Sequence, residues 1–138
     1  MKQREPITHI MTKNVHTVNI NETLKTVSDI FNSEKIHHLP VTNGKEIIGI
    51  ISSTDFSRLN FGSLYDQSGS SQTAVLDSLT IEQVMTHHPT VVNSTDSIKE
   101  VAEVFAQANF HALPVVENEN LVGIVTTTDM IKFLIAQY

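Results

Sequence analysis

The sequence predicts an α+β protein built from two copies of one strand-helix-strand-strand-helix unit. The first observation is an internal repeat, because residues 7–59 align with residues 81–133 without a gap. The second is that apolar segments with strand-like and helix-like spacing follow one another in the same order in both copies. The identical positions of the first copy are Ile7, Met11, Thr12, Val18, Asn19, Lys25, Val27, Phe31, His37, Leu39, Pro40, Val41, Gly49, Ile50, Thr54 and Asp55.

Composition limits the classes of protein to which the chain can belong. Its 138 residues are 40% hydrophobic, which is enough for a packed core. The formal net charge of -6 argues against nucleic-acid binding, which needs a basic surface. The chain has no cysteine, which excludes disulfides and thiolate metal sites and fits a reducing compartment. No apolar run resembles a signal peptide or a bilayer-spanning helix, so we expect a soluble cytoplasmic protein with no membrane partner.

The first copy reads as a complete structural unit. A helical turn at residues 7–11 and a strand at 15–18 precede a helix that Asn21 can cap, with Leu24, Val27, Ile30 and Phe31 in one apolar stripe. A strand at residues 36–42, a hairpin turn at 43–44 and a strand at 46–51 follow. Ser52 then begins a helix that is expected to end near Asn60. We therefore assign residues 1–60 to the first unit.

Residues 61–80 are rich in Gly and Ser and predict a linker, with a helical turn at 74–79. Residues 81–138 form the second unit, with strands at 90–92, 112–116 and 121–125 and a polar turn at 117–120. Thr95 or Asp96 is expected to cap its first helix, in which Ile98, Val101, Val104 and Phe105 face inward.

The last helix, at residues 127–137, is apolar on most sides. Its apolar residues are Met130, Ile131, Phe133, Leu134 and Ile135. One core cannot cover all of them, so the pattern predicts contact with a second chain, as in a homodimer.

Each copy carries the same polar motif where its last strand meets its last helix. In the second copy the motif residues are Thr126, Thr128 and Asp129, and in the first they are Ser52, Thr54 and Asp55. A hydroxyl, free backbone N–H groups and a carboxylate at a helix N-terminus can hold a ribose and a phosphate. The alternative is structural, since a Ser or Thr followed three residues later by an acid can also form an N-terminal capping box.

Basic residues near each motif add to the binding interpretation. Arg58 and Lys132 follow the motif acids by one helical turn and can offset the carboxylate near a phosphate, or can simply form a solvated helix face. His37 and His111 recur at one register before a proline and fit phosphate contacts, although each can also bond a backbone carbonyl. The adjacent pairs at 37–38 and 87–88 do not predict a metal site, because neighbours on a strand point to opposite faces.

These features together resemble a tandem CBS-domain pair, also called a Bateman module. The resemblance rests on both Gly-apolar-apolar-Ser/Thr-x-x-Asp segments, on the Met-Thr pairs at residues 11–12 and 85–86, and on the His-x-Leu-Pro-Val segments at 37–41 and 111–115. It covers nearly all of the chain except the linker.

The resemblance implies two β-α-β-β-α units packed through their sheets as a pseudo-two-fold pair, with two related clefts between them. Such clefts hold adenosine compounds: AMP, ADP, ATP, S-adenosylmethionine or NAD. The implied first cleft contains Asp129, Thr126 and Thr128 with Val15, His16, Ile36 and His37. The implied second cleft contains Asp55, Ser52 and Thr54 with Pro89, Thr90, Phe110 and His111. Motif acids bond ribose hydroxyls in this family.

The pair His37-His38 is similar to the His-Arg pairs at phosphate sites in the gamma subunit of AMP-activated protein kinase. His111 is followed by Ala112 and lacks that second basic residue, so its cleft is expected to bind phosphate less well. The resemblance therefore implies a stand-alone regulatory module whose bound nucleotide, AMP, ADP or ATP first, is sensed by a separate partner protein. The alternatives are a packing or dimerisation module with empty or vestigial clefts, and an enzyme using His37 and Asp129. No catalytic motif supports the enzyme.

Overall fold

The computed structural model describes residues 4–61 and 76–138. Most of the predicted linker at 61–80 lies outside these residues, and so does part of the predicted helical turn at 74–79. The elements of the first repeat are a 3-10 helix (Ile7–His9), β1 (Val18–Asn19), α1 (Leu24–Ser33), β2 (His38–Asn43), β3 (Glu46–Ser52) and α2 (Ser53–Phe61). Those of the second are α3 (Ile81–Val84), β4 (Thr86–His87), β5 (Val92–Asn93), α4 (Ile98–Gln107), β6 (Ala112–Glu117), β7 (Asn120–Thr126) and α5 (Thr127–Ala136). The predicted α+β class is confirmed.

The helix caps differ from the sequence prediction. Thr23 caps α1, where its side-chain oxygen accepts a hydrogen bond from the backbone N–H of Thr26 at 3.3 Å. Asn21 was the wrong choice, because its backbone N–H bonds to the Asn19 side chain in the turn after β1. These caps are decided by which of several neighbouring polar residues closes the preceding turn.

The second repeat shows the same correction. Ser97 caps α4, and its side-chain oxygen accepts from the N–H of Glu100 at 3.1 Å. Asp96 accepts instead from the N–H of Asn93 at 2.9 Å, so it closes the turn after β5 and is not the cap. Thr95 also lies before the helix begins and is not the cap.

The strands pair in the same pattern in both repeats. β1 lies parallel to β2 with Val18 opposite Val41, and β5 lies parallel to β6 with Val92 opposite Val115. β2 neighbours β3, and β6 lies antiparallel to β7. The hairpin between β6 and β7 turns through Asn118 and Glu119, both with positive φ, as a tight two-residue turn requires. The strands predicted at 15–18 and 90–92 are shorter and begin later than expected.

The chain divides into two compact units that do not coincide with the two sequence repeats. The first-repeat unit comprises His16–Gly44 and Ile48–His88, and the second-repeat unit comprises Met1–Val15, Lys45–Ile47 and Pro89–Tyr138. Ile81 and Met85 therefore belong to the buried core of the first-repeat unit, where they pack with residues such as Leu39 and Val41. Ile7 belongs to the core of the second-repeat unit, beside Leu113 and Val115. Each repeat thus contributes its leading segment, residues 7–15 in the first repeat and 81–88 in the second, to the other repeat's core.

The last helix, α5, is only partly covered in this chain. Met130 and Phe133 pack against the core of the second-repeat unit. Ile131, Leu134 and Ile135 are 57%, 47% and 66% exposed. These three apolar residues of α5, which one core was not expected to cover, therefore lie on the surface of this chain.

Candidate ligand-binding site

The motif of the second repeat forms a complete capping box at the start of α5. The N–H of Asp129 donates to the Thr126 side-chain oxygen at 3.2 Å, and the N–H of Thr126 donates to Oδ2 of Asp129 at 2.9 Å. Both side chains are half-buried, and Thr128 beside them is exposed. The capping box, which the sequence left open as the structural alternative, is therefore present in the second repeat. It does not use up the carboxylate, because an ionised carboxylate has about four acceptor positions.

The motif of the first repeat is arranged differently. The N–H of Asp55 donates to the Ser52 side-chain oxygen at 3.0 Å, as in the other copy. The Asp55 carboxylate also meets Nη1 of Arg58 at 3.5 Å, with side chains that are 40% and 77% exposed. An ion pair this exposed contributes little to stability, so Arg58 can exchange this partner for a ligand phosphate at small cost. Lys132, the equivalent residue of the second repeat, is exposed.

The backbones of His37 and His111 are each hydrogen-bonded to the motif of their own repeat. The N–H of Ser53 donates to the carbonyl oxygen of His37 at 2.8 Å, and the N–H of Thr127 donates to that of His111 at 3.0 Å. Both histidine side chains are exposed, so their rings can meet a ligand. Within each unit, the structure therefore places the backbone of a histidine at the N-terminus of the motif helix of its own repeat. The sequence prediction instead combines each histidine side chain with the motif acid of the other repeat.

The remaining predicted residues of the first half of the chain lie at the edges of elements. Val15 is half-buried at the end of the leading segment, and His16 is exposed with Nε2 at 3.5 Å from Oε2 of Glu34. Ile36 packs against the core of the first-repeat unit. His38 is the half-buried first residue of β2.

Those of the second half lie in the second-repeat unit. Pro89 is half-buried and Thr90 is exposed, both before β5. Phe110 is 43% exposed just before β6, where the equivalent residue of the first repeat is the packed Ile36. An exposed aromatic ring offers a flat apolar surface for a planar ligand group.

Histidine pairs in the described part of the chain show no metal-binding arrangement. The ring of His87 bonds to the backbone carbonyl oxygen of Glu82 at 2.8 Å. Across residues 4–61 and 76–138, no three histidine or acidic side chains are grouped so that they could hold a metal ion. None of the helices described there is long and apolar enough to cross a bilayer.

Comparison with known families decides what this duplicated unit is. A family model of the CBS domain matches residues 7–61 and again residues 81–136. The chain belongs to the CBS-domain family. The resemblance read from the sequence is thereby confirmed, and this CBS-domain chain carries the domain as a tandem pair.

Solved CBS structures share its fold. Protein MJ1225 of Methanocaldococcus jannaschii superposes with a TM-score of 0.81 at 26% identity, over 97% of this chain and 49% of that one. The CBS domain of a CBS-domain-containing membrane protein from Sphaerobacter thermophilus gives 0.81 at 27% identity, over 94% and 88%. CBSX2 in complex with AMP gives 0.79 at 20% identity, over 96% and 98%. The CBS pair of MJ0100, solved with methylthioadenosine and S-adenosylmethionine, gives 0.77 at 24%, over 96% and 98%.

Several curated relatives are longer proteins. MJ1225 is 29% identical over 134 residues, which span 95% of this chain and 48% of that protein. A homoserine O-acetyltransferase of Methanococcus vannielii is 31% identical over 117 residues, which span 84% of this chain and 22% of the enzyme. The chain thus spans half or less of the length of these curated relatives.

Proposed function

We propose that this CBS pair is a regulatory module, without catalytic activity of its own, that binds an adenosine compound. The observation that carries the proposal is the motif geometry. Twice in the chain, a hydroxyl and a partly exposed carboxylate meet at the N-terminus of a helix. Two complete copies favour a retained binding role for each.

The chemistry of each motif suits a ribose 5′-phosphate. A helix N-terminus favours an anion, and the carboxylate can accept charge-assisted hydrogen bonds from ribose hydroxyls. The exposed rings of His37 and His111 can donate to phosphate oxygens. CBSX2 with bound AMP and MJ0100 with bound S-adenosylmethionine support an adenosine ligand on this fold. AMP, ADP and ATP are the first candidates, and S-adenosylmethionine and NAD follow.

We assign the binding residues as the sequence predicted them. The first set, around Asp129, includes Thr126, Thr128, Val15, His16, Ile36, His37, His38 and Lys132. The second set, around Asp55, includes Ser52, Thr54, Pro89, Thr90, Phe110, His111 and Arg58. Because His38 adds a second imidazole to the first set, we expect that set to bind phosphate more tightly.

The module is proposed to act as a homodimer in the cytoplasm. The three exposed apolar residues of α5 are a surface that a second copy would remove from water. A change in nucleotide occupancy would then change the conformation of the homodimer. A separate regulated protein would respond to that change.

A second candidate function is a packing module with unoccupied motifs. The observation that favours it is the complete capping box of Thr126 and Asp129, in which the acid already has a structural use. The two functions differ in whether a nucleotide stabilises the protein.

A thermal-shift screen of AMP, ADP, ATP, S-adenosylmethionine and NAD separates the two functions. A ligand that binds only the native state raises the free energy of unfolding by about 2.7 kcal/mol at one hundred times its Kd. We expect at least one of these compounds to raise the melting temperature and to give heat in a calorimetric titration. Neither response with any compound at millimolar concentration would favour the packing module.

A further inference from the structure

Both repeats contain a close contact between a methionine and a glycine. Met11 lies on Gly123 of β7, and Met85 lies on Gly49 of β3. A Cβ built on Gly123 would overlap the Met11 sulfur and would lie 2.9 Å from the backbone oxygen of Thr12. At Gly49 it would overlap the Met85 sulfur and lie 3.1 Å from the backbone oxygen of Thr86. Each strand therefore accepts its methionine only because it has a glycine there.

Backbone bonds fasten each leading segment at the same place. Thr12 and Ile124 exchange two hydrogen bonds, with N–O distances of 2.8 and 3.0 Å. Thr86 is likewise opposite Ile50 in the pairing of β4 with β3. The residue after each methionine is thus held in register with the strand that carries the glycine.

The chain passes from one compact unit to the other immediately after these contacts. It leaves the second-repeat unit between Val15 and His16, and it leaves the first-repeat unit between His88 and Pro89. Val15 and His16 follow the anchor at Thr12 by only three and four residues. Because each residue spans at most about 3.6 Å, this anchor limits where the two residues can lie. A shift of the anchor therefore shifts the residues that follow it.

The segments in which the chain passes from one unit to the other, which we call the first and second passages, contain residues that we assign to ligand binding. Val15 and His16 belong to the first passage, and Pro89 and Thr90 belong to the second. In the contacts described above, Met11 and Met85 do not contact any of these assigned residues. Each methionine affects them through the short chain segment that follows it.

We propose that Met11 and Met85 are positioning residues for nucleotide binding. Each methionine fixes the register of a leading segment on the strand that carries the glycine. This register positions the assigned ligand-binding residues that follow the leading segment. The inference rests on the proposed function, since it explains how the proposed site is held in shape. It assigns a role to two residues that are not among the proposed ligand-binding residues.

The test compares three variants of the full chain with the parent protein, using AMP as the probe. Met11→Ala removes the side chain on Gly123, and Met11→Leu restores most of its volume. Val104→Ala is the matched control, because Val104 packs against the same core from α4 and is not part of a leading segment. Calorimetry measures AMP affinity, thermal unfolding measures stability, and hydrogen exchange with mass spectrometry measures protection of residues 13–17.

We expect Met11→Ala to weaken AMP binding on the order of tenfold and to raise amide exchange at residues 13–17. Val104→Ala should lower the melting temperature while leaving AMP affinity within about twofold of the parent. Met11→Leu should recover most of the affinity. A purely structural role would make the two alanine variants alike in affinity, whatever their melting temperatures.

The outcomes separate this inference from the proposed function. If the parent binds AMP and Met11→Ala binds it equally well, the positioning role is wrong and the proposed function stands. If Val104→Ala loses as much affinity as Met11→Ala, the effect follows general destabilisation and the positioning role is again wrong. If the parent takes up no AMP, AMP sensing fails, and the positioning role fails with it.

Discussion

The backbone N–H of Thr127 donates to the carbonyl oxygen of His111 at 3.0 Å, and this bond joins the first residue of α5 to the residue just before β6. Ser53 and His37 form the same bond at 2.8 Å. The antiparallel register, with Ala112 opposite Thr126, brings the two chain segments together. In each unit, a histidine and a motif acid therefore lie at the same end of the hairpin, although they are distant in sequence.

We predict that the two motif acids contribute unequally to nucleotide binding. Asp129→Ala should cost more affinity than Asp55→Ala, because the Asp129 set includes His37 with His38 whereas the Asp55 set has His111 beside Ala112. The loss should be about 1–3 kcal/mol, as for hydrogen bonds to charged groups. Titration calorimetry of both variants with the strongest ligand of the screen measures the difference.

Melting curves of the same two variants separate binding from capping. Loss of a helix cap costs about 1 kcal/mol of stability, and this cost should be larger for Asp129, which accepts from the N–H of Thr126. A larger affinity loss for Asp55→Ala would reverse the ranking. Normal affinity with earlier melting in both would show that the acids serve only as caps.

The exchange of leading segments predicts that distant substitutions weaken the opposite repeat. Ile81 is 0% exposed in the core of the first-repeat unit, so Ile81→Ala should destabilise that unit by about 2–5 kcal/mol. Ile7→Ala should do the same to the second-repeat unit, in whose core Ile7 is buried. Hydrogen exchange resolved by peptide measures which unit loses protection.

For Ile81→Ala, the amides of α1 and β2 should exchange faster than those of α4 and β6, and Ile7→Ala should give the reverse. Because each substitution is the internal control for the other, identical patterns in the two variants would contradict the exchange. Faster exchange confined to the substituted repeat would contradict it as well.

Alanine at Gly123 should be destabilising because of its neighbour. The added Cβ would lie 2.9 Å from the Thr12 backbone oxygen and would also meet the Met11 side chain, so we expect an overpacking cost of about 1–3 kcal/mol. Part of this cost should disappear in the double variant with Met11→Ala, where the sulfur and Cγ are gone. Denaturant unfolding of the parent, the single variants and the double variant gives the coupling energy.

Gly44→Ala is the control for the glycine substitution. Gly44 has a φ of +65° and nothing within 4 Å of an added Cβ, so its cost comes from backbone strain alone. Met11→Ala should show no coupling with Gly44→Ala. A double variant of Met11 and Gly123 whose costs simply add would show that the two residues do not press on each other.

The exposed face of α5 predicts self-association. Leu134→Glu combined with Ile135→Glu should convert a dimer to a monomer, because two buried carboxylates would lack partners at the interface. Light scattering with and without AMP measures the mass. Val91→Glu, which replaces another exposed apolar residue outside α5, should leave the mass unchanged. A monomer mass for the parent under both conditions would rule out the dimer.

The sequence by itself determined the features that depend on local pattern. The duplication, the order of the longer strands and helices and both motifs could be read directly, because apolar periodicity and turn residues act over short distances. The two-residue strand β4, which pairs with β3, was not predicted. The hairpins were also predictable, since Gly44 and the polar turn at 117–120 supply the backbone that a tight reversal needs. The helix caps were missed at Thr23 and Ser97, where several polar neighbours competed for one role.

Only the tertiary structure decided which leading segment joins which core. Both repeats have the same methionine and the same glycine, so Met11 could in principle pack on Gly49 or on Gly123. Local sequence makes these two choices equivalent. The structure places Met11 on Gly123 and Met85 on Gly49, and each core contains or contacts an isoleucine and a methionine that the chain supplies from the other repeat. Long-range packing distinguishes between two arrangements that short-range pattern cannot.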